Sequence, residues 1–151
     1  MAVSKTFIHS FHISIAMISG KFAITLHILT LLYKFPEEFL SSEFIAGSMN
    51  INPVLVRKEI ANLKKFNMVE CREGKYGGTR LSDRAKDITL EDIFKMTFEE
   101  VTLGYSKNDP NPACPVGKKI NQNLDSLYKQ VNDCICKKLK DVSLMKFTEE
   151  F

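Results

Sequence analysis

Nine cationic side chains crowd the stretch from Asn52 to Lys86, against four acids. This local excess is larger than the net charge of +3 carried by the whole chain, so the remainder is slightly acidic. A positive field concentrated in this way suits a polyanion. The residue types say more. Arg57 can form two parallel hydrogen bonds with a guanine edge, and Val54 can rest on a thymine methyl. Lys58, Lys64 and Lys65 have the charge and reach for phosphates. Asn52, Pro53 and Asn62 lie on the same segment, and Ser42 opens the one before it. Arg72, Lys75, Tyr76 and Arg80 stand around three glycines, Gly74, Gly77 and Gly78, whose backbone N–H groups can also receive phosphate.

Such groups need a rigid helix with one anchored face and a neighbouring support. Ser42–Met49 reads as a short helix with Ser41 or Ser42 as its N-cap and Phe44, Ile45 and Met49 turned inward. Asn50 suits the turn that follows. The next helix starts with Asn52 as N-cap and Pro53 at its first position. Leu55, Val56, Ile60 and Leu63 form its inward face, and Phe66 and Met68 close it against the core. Val69–Arg72 and Thr79–Leu81 read as a hairpin, with the three glycines expected to supply positive φ. Helix, turn, helix and hairpin in this order make a winged helix-turn-helix, whose second helix fits the major groove.

Around this unit, Ser19–Tyr33 has the broad apolar stripe of a central helix, ended by Phe35-Pro36. Thr89–Asp92 is a capping box for a fourth helix from Leu90. Leu103–Gly117, with glycine, asparagine and three prolines, reads as a loop. A long helix follows over Lys118–Lys140. Ile120, Leu124, Leu127, Val131, Cys134 and Leu139 lie near one seam, with Tyr128 and Ile135 beside it. This near-heptad spacing calls for another helix along its length, in a partner or in the same subunit.

The expected fold is therefore mainly α with a small β-hairpin wing, an α+β winged helix-turn-helix domain plus a long C-terminal packing helix. Residues 1–16 read as an N-terminal extension, either preceding the true start at Met17 or forming an arm outside the native fold. The DNA-binding domain spans 17–100, the loop 101–117, and the long helix with its tail 118–151.

Several classes of function lack support. No apolar run is long enough to span a bilayer. The single lysine near the N-terminus and the lack of a clear cleavage site argue against a signal peptide. Four sparse cysteines fit a cytoplasmic chain with free thiols. No Cys/His pair has metal-ligand spacing, and no nucleophile–base set, P-loop or paired carboxylates point to an enzyme. Cys114 lies just ahead of the long helix, where a helix N-terminus favours the thiolate. It is read as a redox sensor or, alternatively, as a small residue that shapes the loop.

Four stretches together carry a family resemblance: GKFAITLHILTLL, NINPVLVRKEIANLKKFNMVE, GKYGGTRLSDRAKDITLEDIF and ACPVGKKINQNLDSLY. From about Met17 to Leu144 the chain is similar to the Rrf-two family of bacterial winged-helix transcription regulators. The resemblance implies a homodimer whose long helices pair, with two reading helices on a palindromic operator in double-stranded DNA. Half-sites would then lie about one helical turn, ~34 Å, apart. Members that hold an iron–sulfur cluster carry three cysteines before the long helix, whereas this chain has Cys114 alone there. No cofactor is therefore expected. Glu73 also departs from the family, falling where some relatives have arginine. The reading that follows is a homodimeric repressor answering a redox or metabolic signal. The alternative is a winged-helix module that dimerises and docks a partner protein without reading DNA.

Overall fold

The computed structural model describes residues 5–98 and 103–151, with side chains from Gly20 onward. The first helix, α1, runs over Lys5–Lys34 and is the hub of the molecule. Ile28, Leu29 and Leu32 are completely buried in it, with Thr25 and Leu26 beside them. Burying one such aliphatic side chain contributes roughly 1.5–3 kcal/mol. The backbone of α1 begins well ahead of the expected Ser19, so residues 5–16 continue the first helix rather than leaving it. Residues 1–4 lie outside the described residues.

Helix α2, Ser42–Met49, is capped by Ser41, whose Oγ accepts a hydrogen bond from the Phe44 N–H at 3.1 Å. Asn50 ends it in the left-handed conformation, φ 52°, which short polar side chains tolerate. Helix α3 covers Pro53–Lys65, and Asn52 Oδ1 accepts from the Val54 N–H at 2.9 Å. Both caps are as read from the sequence, because capping chemistry is local.

Three inward assignments are corrected. Phe44, Leu55 and Phe66 are 51%, 46% and 42% exposed. On α3 the buried arc is Val56, Glu59, Ile60 and Leu63, the i, i+3, i+4, i+7 series of one helix face. Leu55 sits one residue, about 100°, off that arc. Glu59 takes an inward place, and the Thr25 hydroxyl of α1 donates to its Oε2 at 3.5 Å. Phe44 instead meets the edge of the Phe35 ring.

The wing is an antiparallel pair, β1 (Val69–Arg72) and β2 (Gly78–Leu81), with Val69 opposite Leu81 and Arg72 opposite Gly78. A second pairing stitches its base to the segment before α2. Leu40 N–H donates to Thr79 O at 2.9 Å, and Thr79 N–H to Leu40 O at 2.8 Å. The glycines divide the work differently than expected. Gly74 alone of the three has positive φ, +102°. Gly77 and Gly78 are required by space: a Cβ on Gly77 would lie 2.2 Å from Arg72 O, and one on Gly78 2.7 Å from Leu40 O.

Helix α4, Leu90–Thr97, carries the full capping box between Thr89 and Asp92. Helix α5, Ile120–Lys140, packs along α4. The tail then returns: Leu90 N–H donates to Val142 O and Leu144 N–H to Ile88 O, each at 2.8 Å. The last helix, α6 (Leu144–Thr148), packs on α1 with Leu144 completely buried. Among the described residues no helix is long and apolar enough to cross a membrane.

Gly78→Ala is expected to destabilise the chain by about 1–3 kcal/mol, because the clash is with backbone that cannot rotate away. Gly20→Ala, with open space around it inside α1, is expected to gain about 0.5–1 kcal/mol. Urea unfolding midpoints check both. Equal midpoints for the two variants would show that the Leu40–Thr79 strap yields.

Candidate nucleic-acid interface

The crossing of α2 and α3 and the strap at Leu40 leave a groove of about 500 Å³ between α3 and the wing. Ser42, Arg57, Lys64, Arg72 and Lys75 all line it, drawn from α2, α3, the end of β1 and the hairpin loop. These residues are separated by up to 33 positions in the chain, yet they share one concave surface. Val54, 61% exposed, stands on the first turn of α3. Lys58 is exposed and Asn62 half-buried on the same helix. Asn52 and Pro53 act mainly by starting α3. Tyr76, at the tip of the wing, is 81% exposed, with the Lys75 ammonium 5.6 Å from its ring centre.

Two of the expected cations lie elsewhere. Arg80 points to the other face of the hairpin, over the Phe39 ring, and pairs with the Glu70 carboxylate at 2.7 Å. The Glu70 hydrogen bond strengthens the proton on its guanidinium, raising its pKa. Strand alternation is the reason: Thr79 and Arg80 must face opposite ways. Lys65 borders a separate depression with Arg84, Asp87 and Lys95, about a 100° turn from Lys64.

The groove also contains an acid that the sequence reading did not single out. Glu43 Oε1 receives Arg57 Nη2 at 2.5 Å, and Arg57 Nε donates to Ser42 Oγ at 3.2 Å. The Arg57 hydrogen bond holds the Glu43 carboxyl below its ordinary pKa. Both side chains are more than half exposed, so the pair is weakly held and exchangeable. It orients Arg57 toward α2. The fourteen-residue separation gives no local sequence signal for it.

No residue of α5 is fully buried. Ile120, Leu124, Val131 and Ile135 are half-buried, while Leu127 and Cys134 are exposed. Two of the expected seam residues work within the subunit. Leu139 packs on the core, and the Tyr128 hydroxyl donates to Gly104 O at 2.5 Å while its ring meets that of Tyr105.

Cys114 is exposed in the loop before α5. Backbone hydrogen bonds from Gly117 and then Val116 lower its thiol pKa. The other cysteines lie on the wing strand and on α5. A cluster or metal centre needs several donors together. Among the described residues no group of three His, Cys, Asp or Glu is placed to hold a metal.

A family model described as Rrf2, iron-dependent transcriptional regulator, matches residues 18–150. A protein named as an HTH-type transcriptional regulator, YwnA of Bacillus subtilis strain 168, is 40% identical over 131 residues, spanning 83% of this chain and 96% of that protein. A solved structure of a transcriptional regulator from Lactobacillus plantarum matches with a TM-score of 0.74 at 22% identity, covering 86% of this chain and 88% of the other. Another, described as a DNA-binding protein, matches with a TM-score of 0.66 at 34% identity, covering 84% and 97%. With nearly its whole length matched, the chain belongs to the Rrf2 family, and it is a transcriptional regulator and not an enzyme.

Proposed function

We propose that this regulator is a homodimeric, sequence-specific repressor that binds a palindromic operator in double-stranded DNA. The observation that carries the reading is the groove in which Ser42, Arg57, Lys64, Arg72 and Lys75 converge beside the exposed start of α3. Arg57 exchanges its Glu43 partner for a guanine edge. Lys64, Arg72 and Lys75 take phosphates, and the wing lies along the neighbouring backbone. Two copies would join through α5, whose apolar positions Ile120, Leu124, Leu127 and Val131 are incompletely covered within one chain. Repression follows from occupying a promoter, and the cytoplasm is the expected compartment. The reading includes no iron–sulfur cluster, despite the iron dependence in the family's description, because the described residues offer no set of donors. Cys114 is the candidate for the signal: its thiolate is stabilised by backbone N–H groups and open to oxidants.

In mobility shifts against genomic fragments, Arg57→Ala should lower discrimination between operator and random DNA by roughly tenfold or more. Lys64→Ala should weaken both alike and reduce the slope of log affinity against log salt by about 1. Equal effects of the two variants on discrimination would overturn this division of roles. By sedimentation the chain should run at twice its mass of 17.2 kDa, and the double variant Leu124→Glu, Leu127→Glu should run at that mass.

The sign of the Cys114 effect is fixed by its cause. Donors to the thiolate lower the pKa, so the reactive form persists to lower pH. With Cys71, Cys134 and Cys136 replaced by serine, alkylation by iodoacetamide should show a midpoint below the ~8.5 of an ordinary thiol. Hypochlorite should change operator affinity in the wild-type chain and leave Cys114→Ser unchanged.

A further inference from the structure

A groove of about 740 Å³ lies far from the wing, between one face of α1, the end of α2 and α6. Its size falls within the range of small-molecule sites, roughly 300–1,000 Å³. The walls are chiefly apolar, formed by Leu26, Leu31, Phe35 and Phe147. A few polar groups interrupt them. The His27 imidazole Nε2 and Ser48 Oγ are 2.8 Å apart and tie α1 to the last turn of α2. Thr30, only 9% exposed, also lines the groove, and its Oγ1 has no hydrogen-bond partner. Lys34 supplies a cationic head at the rim and has no ion-pair partner among the described residues.

We propose that this groove is a binding site for a small carboxylate with an aromatic or branched apolar body. The apolar wall would hold the body, Lys34 the carboxylate, and the His27–Ser48 pair a second oxygen. The chemistry favours a small anion over a protein segment: one cation and a handful of convergent polar groups sit on an apolar pocket of ligand size. The site also has a mechanical connection to the reading helix. Ser48 lies on α2, and only three residues, Asn50–Asn52, separate α2 from α3. An occupant that separates or tightens the His27–Ser48 contact would shift α2, and with it the Glu43 carboxylate that holds Arg57. The effector role therefore rests on the DNA-binding reading, whereas the binding itself does not.

Calorimetric titration of the full chain with 4-phenylbutyrate tests the site. One saturable site per chain is expected. Lys34→Met should weaken it by roughly tenfold, the size of one lost charged contact. The neutral analogue 4-phenylbutanamide should bind more weakly to the wild type and respond little to Lys34→Met. Ala23→Phe, which fills the groove from an exposed position on α1, should abolish binding while the circular dichroism spectrum stays unchanged. No saturable binding by the wild type, or binding indifferent to Ala23→Phe, overturns the proposal. A sedimentation shift on Ala23→Phe without any probe binding also overturns it, assigning the groove to a second copy of the chain. Saturating probe should change operator affinity by at least about fivefold. Binding with unchanged operator affinity would overturn the effector role. A chain that binds the probe but no DNA would instead sink the regulator reading and leave the site standing.

Discussion

Every part of the basic groove is hung on the burial of α1. Ile28, Leu29 and Leu32 have no solvent exposure, and α2, α3, α4, α6 and the second wing strand all pack against this helix. Its apolar surface is too broad for one neighbour, so the remaining elements arrange themselves around it. Removing one such side chain would cost about 2–5 kcal/mol, a large share of the stability of an ordinary domain. The reading helix contributes Val56, Ile60 and Leu63 to this core and leaves its opposite side for solvent and ligand. The exposed chemistry of α3 is thus set from the inside.

The wing depends on a second constraint, the two hydrogen bonds between Leu40 and Thr79. They fix the hairpin to the segment entering α2, so the groove between wing and α3 has a defined width. Gly78 permits the backbones to approach closely enough for those bonds. Thr79 is buried at the junction, and strand alternation then sends Arg80 to the far face. One short contact therefore decides the shape of the groove and keeps Arg80 out of it.

Charge in the groove is not simply positive. Glu43 pairs with Arg57, and Lys64, Arg72 and Lys75 have no ion-pair partner among the described residues. An exposed pair of this kind contributes little stability. Its effect is on orientation: it positions a guanidinium beside α2 at small energetic cost, so that another acceptor can replace the carboxylate.

Local chemistry was legible in the residues. Asn52-Pro53 announced the start of α3, Thr89–Asp92 that of α4, and alternating residues around three glycines announced the hairpin, because caps and turns depend on neighbours a few positions away. The family pattern was legible for the same reason, being a succession of such local signals. Most of each buried face was legible too, Val56, Ile60 and Leu63 on α3 among it, but its edges were not. Leu55 yielded its expected place to Glu59, Phe44 turned to Phe35, and Leu139 turned to its own core, since a 100° step per residue lets a neighbouring helix select the face it covers. Nor could residues far apart in sequence reveal their meetings. The Arg57–Glu43 pair, the Leu40–Thr79 strap and the apolar groove between α1 and α6 exist because the core folds distant segments together. Residue order determines which elements form and where they begin. Packing around α1 determines which of their side chains share a surface, because that choice is made by contacts with no counterpart in the linear chain.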